Sequence, residues 1–150
     1  MPFVIDASVL LAFYLPAEPY KVQALALLRD ASAGRVKLVV PTLAHYEVLN
    51  VLSRAARNLK GGAGLSLADA HEILVAIQAL QLEEHQVRGL EARILAITHA
   101  YQRSAYDAAY LALAEHLGAN LLTGDERLYN ALKRHSKQVK LIRSYGVETG

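Results

Sequence analysis

A chain of 150 residues has room for a single domain, residues 1–150, with one sizeable core that buries about 68–70% of the surface the unfolded chain would expose. Sixteen Lys and Arg against 14 Asp and Glu leave a net charge of +2, too balanced to mark a polyanion-binding protein by charge alone but compatible with a local basic rim. The lack of cysteine excludes disulfides and thiolate metal sites, and no apolar run approaches the ~20 residues of a membrane span.

The apolar N-terminus does not read as a secretory signal, because it carries Asp6 inside the run and meets no basic residue before Lys21. A cytoplasmic protein is expected. Its 53% hydrophobic content is high for a soluble monomer and points to an oligomer, with some apolar surface covered by a partner.

Phe3-Val4-Ile5 suits a short strand buried on both faces, ending at Asp6. Ala7 to Tyr14 reads as a short helix broken near Pro16 and Pro19, and Tyr20 to Ala33 as an amphipathic helix closed by Gly34. Lys37 to Val40 is the second strand. Pro41-Thr42 opens a helix to about Leu59, with Val48, Val51, Leu52, Ala55 and Leu59 on one face and Glu47, Asn50, Arg54 and Arg57 on the other. Lys60 to Gly64 is a flexible turn, and Ser66 with Asp69 forms a capping box for a helix to about Leu80.

Gln81 to His85 holds a brief strand, and a helix follows from Val87 to Tyr101. The helix from Ser104 to Leu117 is apolar nearly all round apart from Asp107, and it ends at Gly118. Asn120 to Thr123 is another strong strand, Thr123-Gly124-Asp125 its exit turn and Glu126 to Lys133 a short helix. Val139 to Ile142 reads as a last strand. Strands alternating with helices predict an α/β fold, a three-layer α/β/α sandwich around a central, mainly parallel sheet. Strands of one parallel sheet end at the same edge, so Asp6 and Asp125 are expected to approach each other there.

Of the five Asp residues, Asp30 and Asp69 have ordinary surface or capping contexts. Asp6 and Asp125 leave buried strands, Asp107 lies in an apolar helix, and Glu47 heads the helix after the second strand. Capping of helix N-termini accounts for each acid singly, and Asp107 fits a capping box with Ser104. Convergence is a separate expectation. Two carboxylates about 4 Å apart repel by about 4 kcal/mol at an effective dielectric near 20, and a divalent cation is the economical offset for three or four of them. With Ser8, Asn50 and Thr123 as neutral helpers the donors are all oxygens, which selects Mg²⁺ or Mn²⁺ over zinc. The six histidines show no zinc spacing, although His45 stands two residues from Glu47. Tyr106 and Tyr110 flank Asp107 and read as core packing. Arg54, Arg57, Lys60 and Arg127 form a solvated face or the basic rim a polyanion needs. No phosphate-binding glycine pattern follows the first strand, and no Gly-x-Ser-x-Gly elbow occurs.

Val4-Ile5-Asp6-Ala7-Ser8, Glu47-Val48-Leu49-Asn50-Val51-Leu52, Tyr106-Asp107-Ala108-Ala109-Tyr110 through Ala114, and Leu122-Thr123-Gly124-Asp125-Glu126-Arg127-Leu128-Tyr129 stand in that order. In this arrangement the chain resembles the PIN-domain ribonucleases, in particular the VapC toxins of toxin–antitoxin modules. The resemblance implies a PIN-like fold and hydrolysis of RNA. It implies that Asp6, Glu47, Asp107 and Asp125 hold one or two Mg²⁺ or Mn²⁺ ions, with Ser8, Thr123 and less directly Asn50 in support. It further implies a homodimer and a VapB-like antitoxin whose extended segment occludes the acidic cleft. Independently of the resemblance, Arg54, Arg57 and Arg127 are candidates to hold flanking phosphates.

Other readings are a PIN-fold RNA-processing nuclease without an antitoxin and an inactive PIN-like module that only binds RNA or protein. A haloacid-dehalogenase-type phosphatase would need a second carboxylate two residues after Asp6, where Ser8 stands.

Overall fold

The computed structural model describes residues 1–16, 19–57 and 64–147. The expected helix end at Leu59, the rim residue Lys60 and the glycine turn as far as Ala63 lie outside the described residues.

Five short strands, β1 (Pro2–Ile5), β2 (Lys37–Pro41), β3 (Leu82–His85), β4 (Asn120–Thr123) and β5 (Val139–Leu141), form one sheet in the order β3-β2-β1-β4-β5. Every pairing is parallel. Neighbouring residues of a strand face opposite sides, so the near-complete burial of both Val4 and Ile5, of Val39 and Val40, and of Leu121 and Leu122 means that both faces of the sheet are covered. The result is the three-layer α/β/α sandwich that alternating strands and helices predict. The edge strand β3 is different: Glu83 and Glu84 are exposed, and charge of this kind discourages pairing with another chain.

The helices are α1 (Ala7–Ala12), α2 (Lys21–Ser32), α3 (Leu43–Ala56), α4 (Leu67–Gln78), α5 (Glu91–Tyr101), α6 (Ala105–Leu117) and α7 (Glu126–Leu132). The all-apolar stretch Ala108 to Ala114 of α6 is buried because this helix lies across β1, β2 and β4 beneath α5. Helix α1 ends early, at Ala12, where the Lys21 ammonium donates to the carbonyl oxygens of Ala12 and Leu15 at 2.7 and 3.0 Å. Gly118 closes α6 at φ +62, a left-handed conformation that favours glycine.

Four local readings need correction. Pro41 is the last residue of β2, opposite His85, and α3 begins only at Leu43. Ile142 leaves the last strand for a single 3₁₀ turn, Ile142–Ser144, that buries its side chain fully. Val51 is 41% exposed, because the buried stripe of α3 is the narrower set Val48, Leu52 and Ala55. Asp30 is also more than a surface acid: it receives Arg35 at 2.7 Å and the Tyr145 hydroxyl at 2.5 Å, which fastens the C-terminal turn to α2.

Candidate active site

The chain turns away from β1 toward one side of the sheet and from β4 toward the other, so a crevice opens between their carboxyl ends, the position where open α/β sheets hold ligands. Asp6 stands at that point. Its backbone N–H donates to the Leu122 carbonyl oxygen at 3.4 Å, continuing the ladder one step past the strand, and its carboxylate caps α1 by accepting the Val9 N–H at 3.2 Å.

Two hydroxyls complete its surroundings. Ser8 Oγ donates to Asp6 Oδ1 and Thr123 Oγ1 to Asp6 Oδ2, each at 2.5 Å. Both hydroxyls also accept: Ser8 from the Gly124 N–H and Thr123 from the Asp125 N–H, each at 2.9 Å. The exits of β1 and β4 are thereby stitched together. A Cβ at Gly124 would lie 2.1 Å from the Tyr20 hydroxyl oxygen, so a side chain there would have to displace the Tyr20 ring. Asp125 caps α7, accepting the N–H groups of Arg127 and Leu128 at 2.9 and 3.2 Å.

Asp6 is only 6% exposed, and burial pushes its carboxyl up to about 6. The Ser8 and Thr123 hydroxyls and the Val9 N–H pull the other way, while the negative charge of Glu47 adds to the rise. Glu47 lies one turn into α3 and is half-buried. Its own carboxyl is raised first by burial, against the Tyr110 hydroxyl, and then by the charge of Asp107. Glu47 therefore links the acids electrostatically, its charge acting on Asp6 and that of Asp107 acting on Glu47. Tyr110 is buried and donates to Glu47 Oε1 at 2.5 Å, with its hydroxyl pushed above the usual tyrosine range by burial and by Glu47.

Asp107 departs from the simple capping-box picture. Its backbone N–H donates to Ser104 Oγ at 3.2 Å, but its carboxylate turns to Arg103, whose guanidinium donates to Oδ2 at 3.0 Å. Tyr106 is 64% exposed, so the core-packing reading holds for Tyr110 and is corrected for Tyr106. Asn50, Arg54, Arg57 and Arg127 are exposed. His45 points elsewhere, pairing with Glu84 of β3 at 2.7 Å.

Sequence reasoning missed two participants. Arg103 could have been found from its four-residue spacing to Asp107, whereas the Tyr110 hydroxyl acts on Glu47 of another helix, a contact for which the sequence carries no signal.

Among the described residues no group of three or more His, Asp or Glu side chains is arranged to hold a metal ion as it stands. The donor chemistry nevertheless suits a hard cation, because the buried carboxyl of Asp6, the half-buried Glu47 beside it and Asp107 beside Glu47 offer oxygen alone, and burial disfavours the negative charges of Asp6 and Glu47. Asp6, Glu47, Asp107 and Asp125 are the residues that could hold such an ion, although the Asp125 carboxylate is engaged by the N–H groups of Arg127 and Leu128 and its link to Asp6 runs through its backbone N–H on Thr123.

The PIN domain family model matches residues 3–133. Ribonuclease VapC3 of Pyrobaculum aerophilum is 35% identical over 130 residues, which cover 85% of this chain and 92% of that protein. Ribonuclease VapC9 of Mycobacterium tuberculosis is 36% identical over 129 residues, 83% of this chain and 87% of that protein. Two solved structures share the fold: a crystal structure of a Pyrobaculum aerophilum protein (TM-score 0.67, 21% identity, covering 96% of this chain and 94% of that one) and a toxin–antitoxin complex from Klebsiella pneumoniae (TM-score 0.62, 14% identity, covering 93% and 96%).

Proposed function

The chain belongs to the PIN-domain family, and from that premise we propose that it is a Mg²⁺- or Mn²⁺-dependent ribonuclease that hydrolyses RNA phosphodiester bonds as the toxin of a VapBC-type pair. The observation that carries this reading is the buried carboxyl of Asp6 at the β1/β4 crevice, gripped by the hydroxyls of Ser8 and Thr123 and within the field of Glu47. The relatives at 35% and 36% identity, both carrying ribonuclease names, support the reaction class.

Asp6, Glu47, Asp107 and Asp125 would hold the cation. When bound, such an ion supplies positive charge for the phosphoryl oxygens and eases deprotonation of water. The chain's own residues do the rest. Ser8 and Thr123 hold both oxygens of Asp6 and so fix the direction in which its remaining lone pairs point. Tyr110 does the same for Glu47 by bonding Oε1, which leaves Oε2 as the acceptor for a water proton. Hydrolysis adds the water oxygen to phosphorus and breaks one P–O ester bond, so no covalent enzyme intermediate is needed. The exposed Arg54, Arg57 and Arg127 are suited to flanking phosphates, which position a strand without reading its bases.

An antitoxin and a second copy of the chain are the expected protein partners. An apolar groove of about 260 Å³ between α3 and α4, lined by Leu49, Leu52, Leu67 and Leu74 among others, is surface of the kind a partner covers. Among the described residues no helix is long and apolar enough to cross a membrane.

The test is Asp6→Asn. The variant keeps the wild-type circular dichroism and loses RNA cleavage that in the wild type requires Mg²⁺ or Mn²⁺ and stops with a chelator. Unchanged cleavage by Asp6→Asn rejects the assignment.

A further inference from the structure

We propose that Arg103 is a resident counter-ion that competes with the divalent cation for the carboxylate of Asp107, holding that side chain in place until the cation displaces it; this rests on the reading of Asp107 as a cation ligand. Three features of the structure carry it. First, the Arg103 guanidinium meets Asp107 through one nitrogen, at Oδ2 and 3.0 Å, and not through the two-pronged grip that makes arginine–carboxylate pairs strong. Second, Arg103 Nε is fully buried and has no hydrogen-bond partner. An unmet buried donor weakens the hold, so the pair is poised to open. Third, Asp107 is not an isolated surface acid, because its charge reaches Glu47, which the buried Tyr110 of the same helix ties to α6. A positive charge on Asp107 therefore relieves repulsion inside the cluster when no divalent ion is present.

The placement explains the competition. Arg103 precedes the Ser104 cap of α6 and Asp107 follows it in the first turn, so the pair spans the helix start. Both side chains are 28% exposed, a depth at which the interaction is neither fully screened nor locked in the core. Two ligands that share one carboxylate oxygen oppose each other reciprocally: the guanidinium weakens cation binding by the factor with which the cation weakens the ion pair.

The experiment uses the full-length protein, with Mn²⁺ binding followed by electron paramagnetic resonance and no RNA present. Arg103→Gln binds Mn²⁺ about fivefold more tightly than the wild type, the scale expected for releasing one partly exposed ion pair, whereas Arg103→Lys, which keeps the charge, stays near the wild-type affinity. Equal or weaker binding by a folded Arg103→Gln overturns the proposal. If that variant does not fold, the wild type decides: the Nε–H nuclear magnetic resonance signal of Arg103, assigned by its loss in Arg103→Lys, moves in step with Mg²⁺ saturation. A signal that stays put while the backbone signals around Asp6 respond to Mg²⁺ overturns the Arg103 proposal and leaves the nuclease reading standing. A wild type that binds neither ion overturns both.

Discussion

The Thr123 hydroxyl meets the carboxylate of Asp6 at 2.5 Å across 117 positions of sequence, and the same oxygen accepts the Asp125 N–H at 2.9 Å. One side chain thus orients the buried acid of β1 and the exit turn of β4. Thr123→Val keeps the shape and removes the hydroxyl, leaving one carboxylate oxygen and one backbone N–H without their partner. It is expected to cost about 1–3 kcal/mol in chemical denaturation. Cleavage should fall by about 10- to 100-fold, the range for losing a group that orients a ligand. Thr123→Ser restores most of both, and a Val variant as active as wild type would remove Thr123 from the site.

The raised carboxyl of Asp6 makes metal-free stability depend on pH in a defined direction. Its folded value, about 6, lies above the ordinary Asp value near 3.9 of the unfolded chain, so the protonated form is the one that folding favours. Its contribution is fully present below about pH 4 and is lost as pH rises through about 6, a loss of about 3 kcal/mol. Glu47, also raised, acts in the same direction. Thermal denaturation with chelator is expected to show the wild type losing stability relative to Asp6→Asn across this window, with added Mg²⁺ recovering it near neutral pH. Parallel pH profiles for the two proteins would contradict the burial argument.

Tyr110→Phe removes the donor to Glu47 from a buried position. The expected loss is about 1–2 kcal/mol of stability together with a further rise of the Glu47 carboxyl. Activity should fall less than in Glu47→Gln, because Phe leaves the carboxylate present but free to turn. Comparing the pH dependence of cleavage checks this: the Phe variant needs a higher pH than wild type to reach half its maximal rate.

Asp125 separates a structural duty from a chemical one. It caps α7 through two backbone N–H groups, so Asp125→Ala is expected to cost about 1 kcal/mol, whereas Asp125→Asn keeps an oxygen in the cap and stays within a few tenths of wild type. Both variants should lose RNA cleavage. If Asp125→Asn cleaves normally, capping is the whole role of this residue.

The strands of the central sheet were legible because Val4-Ile5, Val39-Val40 and Leu121-Leu122 are apolar on both parities, which only a doubly covered strand requires. Helix starts were legible at Ser66 and Ser104, where the side chain does accept the N–H three residues on. What escaped notice was lateral. Val51 looked interior because the helical period of α3 tolerates a wide stripe, and only packing against α1 and β2 narrows it to Val48, Leu52 and Ala55. The Tyr110 to Glu47 bond joins α6 to α3, and no spacing along the chain announces a contact between elements 63 positions apart. Arg103 precedes its helix and so fell outside the pattern used to read α6.

The order of the strands has a consequence for how the protein becomes competent. Strands β2 and β3 lie on one side of β1 and β4 lies on the other, and the second of the two hydroxyls that grip Asp6 arrives only with Thr123. A ribosome that has released the first hundred residues has therefore made Asp6, Glu47 and strands β1 to β3, but neither Thr123, which aligns Asp6, nor Tyr110, which aligns Glu47. The acids stay unarmed until Thr123 has been made.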